Sequence, residues 1–151
     1  MNLPSKSEGI KAKIMKLYDV VKEILDTASA QPSVRTSLEG SVYQLNETKD
    51  VLYGAFVATQ GQHTIQDGFI RYNFTLFYVD RLTAAADNRL LVQSTGVDTL
   101  SNIINTLEQN GYEYDGIINI NTFTERFEAE CAGAYAQLNI ILPLEDCVEY
   151  Y

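Results

Sequence analysis

The residues that could do chemistry are few and scattered. His63 is the only histidine, and it lies in the polar stretch TQGQHTIQD. No second histidine and no cysteine accompanies it, so it is a poor metal ligand and reads as an ordinary loop histidine. A histidine-based triad would have to use it, and no serine or cysteine context supports one. Glu125, Glu128 and Glu130 are close in sequence. On an alternating strand, Glu128 and Glu130 share a face, which reads as a solvated edge rather than an acid–base pair. Phosphate-cradling glycine loops, paired-cysteine zinc motifs and the G-x-S-x-G elbow are absent. The glycosylation triplets Asn46-Glu47-Thr48 and Asn73-Phe74-Thr75 read as chance matches, because no secretion signal is expected in the basic, helically spaced N-terminus.

Composition narrows the function classes. The chain has 151 residues, the size of one domain, and a net charge of −9. Six of its eleven Lys and Arg residues lie before position 36, and the remainder is strongly acidic. A protein that grips nucleic acid needs clustered cations to displace counterions, so sequence-specific DNA binding is disfavoured. No apolar run approaches the ~18 residues of a membrane helix. The two cysteines, Cys131 and Cys147, are expected reduced. A chain reversal at Ala132–Gly133 would set Cys131 near Ala134 and Cys147 opposite residues around Ile118, beyond the ~7 Å Cα limit for a bridge. Two thiols fit assembly in a cytoplasm.

The elements organise around GFIRYNFTLFYVDR, Gly68 to Arg81. Ile70, Tyr72, Phe74, Leu76 and Tyr78 alternate with Arg71, Asn73, Thr75, Phe77 and Val79. That is a long strand with one buried face, and Phe77 and Val79 imply cover on both faces at its far end. Ile10, Ile14, Leu17, Val21, Ile24, Leu25 and Ala28 form a helical stripe that ends before Pro32. Val42–Leu45 and Val51–Ala58 read as strands, with Gly54 marking a bulge or a close backbone approach. Thr59–Asp67 reads as a loop too long for a tight hairpin. A second helix starts at Asp87 or Ser94 and runs to Gln109. Its stripe is Val97, Leu100, Ile103, Ile104 and Leu107, extended back to Leu90, and Asn110–Gly111 closes it. A capping box from Thr95 to Asp98 would favour the later start. Ile118–Arg126 and Ala134–Leu142 form a closing hairpin about Ala132–Gly133. The expectation is an α+β fold: an antiparallel sheet of about five strands packed by two amphipathic helices. Residues 1–9 form an arm, 10–144 the domain and 145–151 a tail.

The order helix, strands, long strand ending in Val79-Asp80-Arg81, helix, hairpin resembles the tail-terminator and neck proteins of tailed bacteriophages. The stretches FTLFYVDRLTAAADNRLLVQSTGVDTLSNIINTL and AYAQLNIILPLEDC are most similar to that group, and within it to the neck-ring proteins of crAss-like phages. The resemblance implies a non-enzymatic virion protein with no cofactor. It implies a six- or twelve-fold homo-oligomeric ring around the DNA channel, bound to portal, neck or tail proteins and assembled in the host cytoplasm.

Contacts with neighbouring subunits are expected from the arm, from the Thr59–Asp67 loop (Gln62, His63, Ile65) and from the tail (Tyr150, Tyr151), where aromatic residues serve as anchors. Asp67, Asp87, Glu113, Asp115, Glu128 and Glu130 are candidates for an acidic lumen that lets duplex DNA slide past; the alternative is an outer wall that keeps the ring soluble. Two other function classes stay open. One is a small-ligand-binding or enzymatic domain with its site under the 59–67 loop, and the other is an adaptor or secretion-system subunit of similar fold.

Overall fold

The computed structural model describes residues 17–46, 52–83, 85, 87–126 and 130–144. The expected arm and tail, with Cys147, Tyr150, Tyr151 and Glu128, lie outside these residues. The chain folds as α1 (Leu17–Ser29), β1 (Thr36–Glu39), a 3₁₀ segment (Val42–Asn46), β2 (Ala55–Gln60), β3 (Thr64–Gln66), β4 (Phe69–Arg81), α2 (Arg89–Gln109), β5 (Glu113–Tyr114), β6 (Ile120–Arg126) and β7 (Glu130–Pro143). The described residues form an α+β fold with two helices on one mixed sheet.

The long strand is central. β4 pairs antiparallel with β7 along its whole length, from Phe69↔Pro143 to Arg81↔Cys131. Its other flank is shared by β2, from Ala55↔Val79 to Gln60↔Phe74, and β3, from Thr64↔Arg71 to Gln66↔Phe69. The outer flank of β7 is divided between β6 and β5. β1 closes one side, parallel to β2. The described sheet thus has seven strands rather than five. They occupy five ranks, because two ranks are each broken into a pair of strands.

The alternation of β4 sorts two cores. Tyr72, Phe74, Leu76 and Tyr78 are buried with Phe56 and Ala58 of β2, and with Ala134, Ala136, Leu138, Ile140 and Leu142 of β7. α1 covers this face with Val20, Ile24 and Ala28, and α2 with Leu100, Ile103 and Leu107. On the opposite face a smaller cluster joins Leu45, Ala55, Val57, Val79 and Cys131. The far end of β4 is therefore covered on both sides, as Phe77 and Val79 implied.

Several boundaries differ from the sequence expectation. Val42–Leu45 is helical. Ser41 Oγ accepts from Tyr43 N (3.2 Å), Gln44 N bonds to Ser41 O (3.0 Å), and the i, i+3 pair Val42 and Leu45 turns toward the second core. β2 begins only at Ala55, because Gly54 O accepts from Arg35 N and Thr36 N and redirects the chain. β1 carries one apolar residue, Leu38, and so escaped an alternation test. The connection before β4 is a strand and a turn rather than an open loop. Asp67 (φ 54°) and Gly68 (φ 80°) form a two-residue hairpin turn with both φ positive, the geometry for which Asp-Gly is favoured. β7 starts at Glu130, so Ala132–Gly133 is mid-strand and not the turn of the hairpin; residues 127–129, between β6 and β7, are outside the described residues.

α2 starts at Arg89. Thr95 Oγ1 bonds back to Leu91 O (2.9 Å), so Thr95 is interior to the helix and caps nothing. Its buried stripe is Val92, Gln93, Gly96, Thr99, Leu100, Ile103 and Leu107, which leaves Leu90 outside at 72% exposure. Asn110–Gly111 closes the helix as expected: Gly111 (φ 104°) donates to Glu108 O and Tyr112 N to Leu107 O.

Candidate partner-binding surface

The expected contact segment Thr59–Asp67 is held from beneath. His63 Nδ1 accepts from the backbone N–H of Asn73 (3.2 Å), which leaves Nε2 to donate to Gln60 Oε1 (3.0 Å). Its ring stands edge-on to Tyr72 at 5.3 Å. Gly61 N bonds to Asn73 O (2.9 Å), and the Asn73 amide fills the space a Cβ on Gly61 would need. Asn73 in turn donates to Asn139 Oδ1 across the sheet (2.9 Å). The polar groups under this segment are engaged with one another and hold the chain. His63 is half-buried and structural, while Gln62 is exposed.

Beyond His63 the surface turns outward. Every residue from Thr64 to Phe69 is exposed. Ile65 is 65% exposed and Phe69 39%. Arg71 braces the hairpin: its Nε donates to Asp115 Oδ2 (2.6 Å) and its Nη1 to Gln66 Oε1 (3.2 Å). On the other side of the sheet, Ile117 is 89% exposed in the link between β5 and β6. Alternation should have flagged it: Ile118 and Ile120 pack on the core, so Ile117 falls with Asn119 and Asn121 on the outward face. Leu90 and Leu91, on the first turn of α2, are also exposed.

The acidic candidates separate into two groups. Asp67, Glu113 and Asp115 lie at the β3–β4 turn and around β5, level with the start of β4. Asp87 and Glu130 lie at the other end, where Leu82 N bonds to Glu130 O and Asp87 accepts from Thr83 Oγ1. A strand of the length of β4 puts about 40 Å between the groups. Asp115 is ion-paired with Arg71, so its charge is partly offset. A shallow groove of about 430 Å³ beside the first group is lined by Glu108, Tyr112, Glu113, Tyr114 and Gly116. Tyr114 Oη donates to Ile104 O (2.8 Å). The Tyr112 hydroxyl is sealed from solvent without a hydrogen-bond partner. Burial pushes the phenols of Tyr112 and Tyr114 well above their usual range.

Among the described residues no three His, Cys, Asp or Glu side chains come together to hold a metal ion. Cys131 is buried, and burial raises its thiol to about 11. No described helix is long and apolar enough to cross a membrane. The chain matches no protein-family model, and no curated protein is significantly similar to it.

Proposed function

We propose that this protein is a non-catalytic structural subunit of a tailed-phage virion. It assembles as a homo-oligomeric ring in the neck or tail, around the DNA channel and between portal and tail components. One observation carries the reading. Two large exposed apolar side chains, Ile65 and Ile117, stand on the outer margins of an open sheet rather than around an enclosed cavity, and Phe69 is exposed beside the Asp67–Gly68 turn. Apolar groups placed there serve contact with other protein chains. The succession of a helix, a 13-residue central strand ending in Val79-Asp80-Arg81, a long second helix and a closing strand pair supports the same reading.

The test is electron microscopy of the purified protein and of its parent particle. Rings of six- or twelve-fold symmetry, seated between portal and tail, are the expected result. A monomer carrying a bound metabolite would overturn the proposal.

A further inference from the structure

The two lateral flanks of the sheet share an unusual property. In a chain of net charge −9 there is no Asp, Glu, Lys or Arg between Asp50 and Asp67, and none between Asp115 and Glu125. The first interval contains β3, and the second contains the β5–β6 link and most of β6. Among the described residues, β3 pairs only with β4, and β5 and β6 pair only with β7. Each therefore presents one unpaired flank. Edge strands of soluble proteins are ordinarily guarded by charge, proline or a bulge, because unpaired N–H and C=O groups are templates for another strand. Here the stretch through β3 and the Gly116–Thr124 stretch of the other flank lack charge and proline, although Glu113, Asp115, Glu125 and Arg126 bound the latter, and each stretch carries an exposed isoleucine, Ile65 at 65% and Ile117 at 89%.

We propose that the Ile65 flank of one copy docks on the Ile117–Asn121 flank of a second copy, edge to edge, so that copies add head to tail. The proposal rests on the ring reading and names its contact. A second copy is the partner the features fit. Like-charged copies repel wherever their carboxylates meet, and these two stretches of the margins carry none. Strand direction also fits. β3 is antiparallel to β4, β4 to β7 and β7 to β6, so β3 and β6 run in opposite directions within one copy. Rotation about an axis along the strands keeps that relation, and the joint between copies is antiparallel, the more stable pairing. Height along the strands sets the stagger. Ile65 is level with Leu142 through Ile70. Ile117 lies between Tyr114, level with Ile140, and Ile120, level with Ala136. A slide of about four residues, ~13 Å, toward the Asp67–Gly68 turn aligns the two isoleucines. It sets Ile120 and Asn121 level with Tyr72 and Asn73 of β4, beside the segment that leads into β3 and short of the four-residue β1 that covers β2. The joint is thus confined to the β5–β6 link and the first residues of β6.

The experiment is oxidative cross-linking of Ile65→Cys and Ile117→Cys in a chain carrying Cys147→Ser, with Cys131 left in the core. An equal mixture of the two single variants should give a linked dimer, the double variant a ladder of linked oligomers, and each single variant alone nothing. Both sites are exposed, so folding is not at stake. Self-linking of Ile65→Cys would mean a two-fold joint and overturn the proposal. Rings seen by microscopy without the mixed link would also overturn it while leaving the ring reading intact. A strict monomer at every concentration would overturn both. As a second readout, Ile65→Lys and Ile117→Lys should each weaken self-association at least about tenfold with an unchanged thermal melt. Unchanged association would count against the joint.

Discussion

Gly133 sits in the middle of a long buried strand, where glycine ordinarily weakens pairing. Its reason is crowding: a Cβ there would run into the backbone carbonyl of Tyr78 on β4, and the Phe123 ring lies over the same spot at 3.2 Å. Gly133→Ala is expected to cost about 1–3 kcal/mol as an overpacking change, measured by denaturant unfolding. Tyr112 offers the opposite case. Its hydroxyl is buried without a partner, so Tyr112→Phe removes an unsatisfied group and should leave stability equal or raise it by about 1 kcal/mol. A loss above that would reveal a partner the hydroxyl needs. The buried phenols also set an alkaline limit. Burial, with the Asp80 carboxylate as a lesser cause, raises Tyr78 from 10.0 to about 12. The neutral phenol is favoured by folding, so this stability is whole below pH 10. It drains as pH rises toward 12, because the unfolded chain ionises first. Absorbance titration should show Tyr78, Tyr112 and Tyr114 ionising late and together with unfolding.

At the scale of elements, β4 carries the fold. Leu76 is fully buried on its core face, with β2 on one flank and β7 on the other. Leu76→Ala should cost about 2–5 kcal/mol; a loss below ~1 kcal/mol in denaturant melts would deny the strand its central place. β4, both helices and the C-terminal end of α2 were legible, because long periodic runs record burial directly. Elements set by a few local bonds were not. The 3₁₀ segment depends on Ser41, and β1 is read only through its parallel partner. The Asp67–Gly68 turn is visible as a dipeptide, yet the largely polar run Thr59–Asp67 disguises it as part of one loop. Gly54 was legible as a close approach: a Cβ there would lie 2.8 Å from Ser33 O and against the Tyr78 ring. That contact holds the α1–β1 connector, which Ser33 also ties to α2 through Thr99 Oγ1 (2.6 Å).

At the scale of the whole molecule, the proposed ring makes its contacts through the sheet margins. Of the contact residues expected from sequence, Ile65 and Gln62 stand outward, His63 braces the chain beneath them, and Tyr150 and Tyr151 lie outside the described residues. Ile117, on the opposite margin, emerged only once β5 and β6 were seen to share one rank. The acidic residues are the weakest part of the sequence reading, since periodicity says nothing of which end of a strand a loop joins. With Asp67, Glu113 and Asp115 at one end of β4 and Asp87 and Glu130 at the other, a lumen lined by all of them would have to run along the strands. The potential mapped on an assembled ring would then show acid at both mouths. A lumen lined mainly by Lys and Arg would refute that arrangement.

The most direct measurement is the mass of the native assembly, by native mass spectrometry of the purified full chain across a concentration series. On the proposed ring reading, one closed species of fixed copy number, six or twelve, is expected in equilibrium with monomer. A monomer at all concentrations, with a small molecule retained in its mass, would contradict the account.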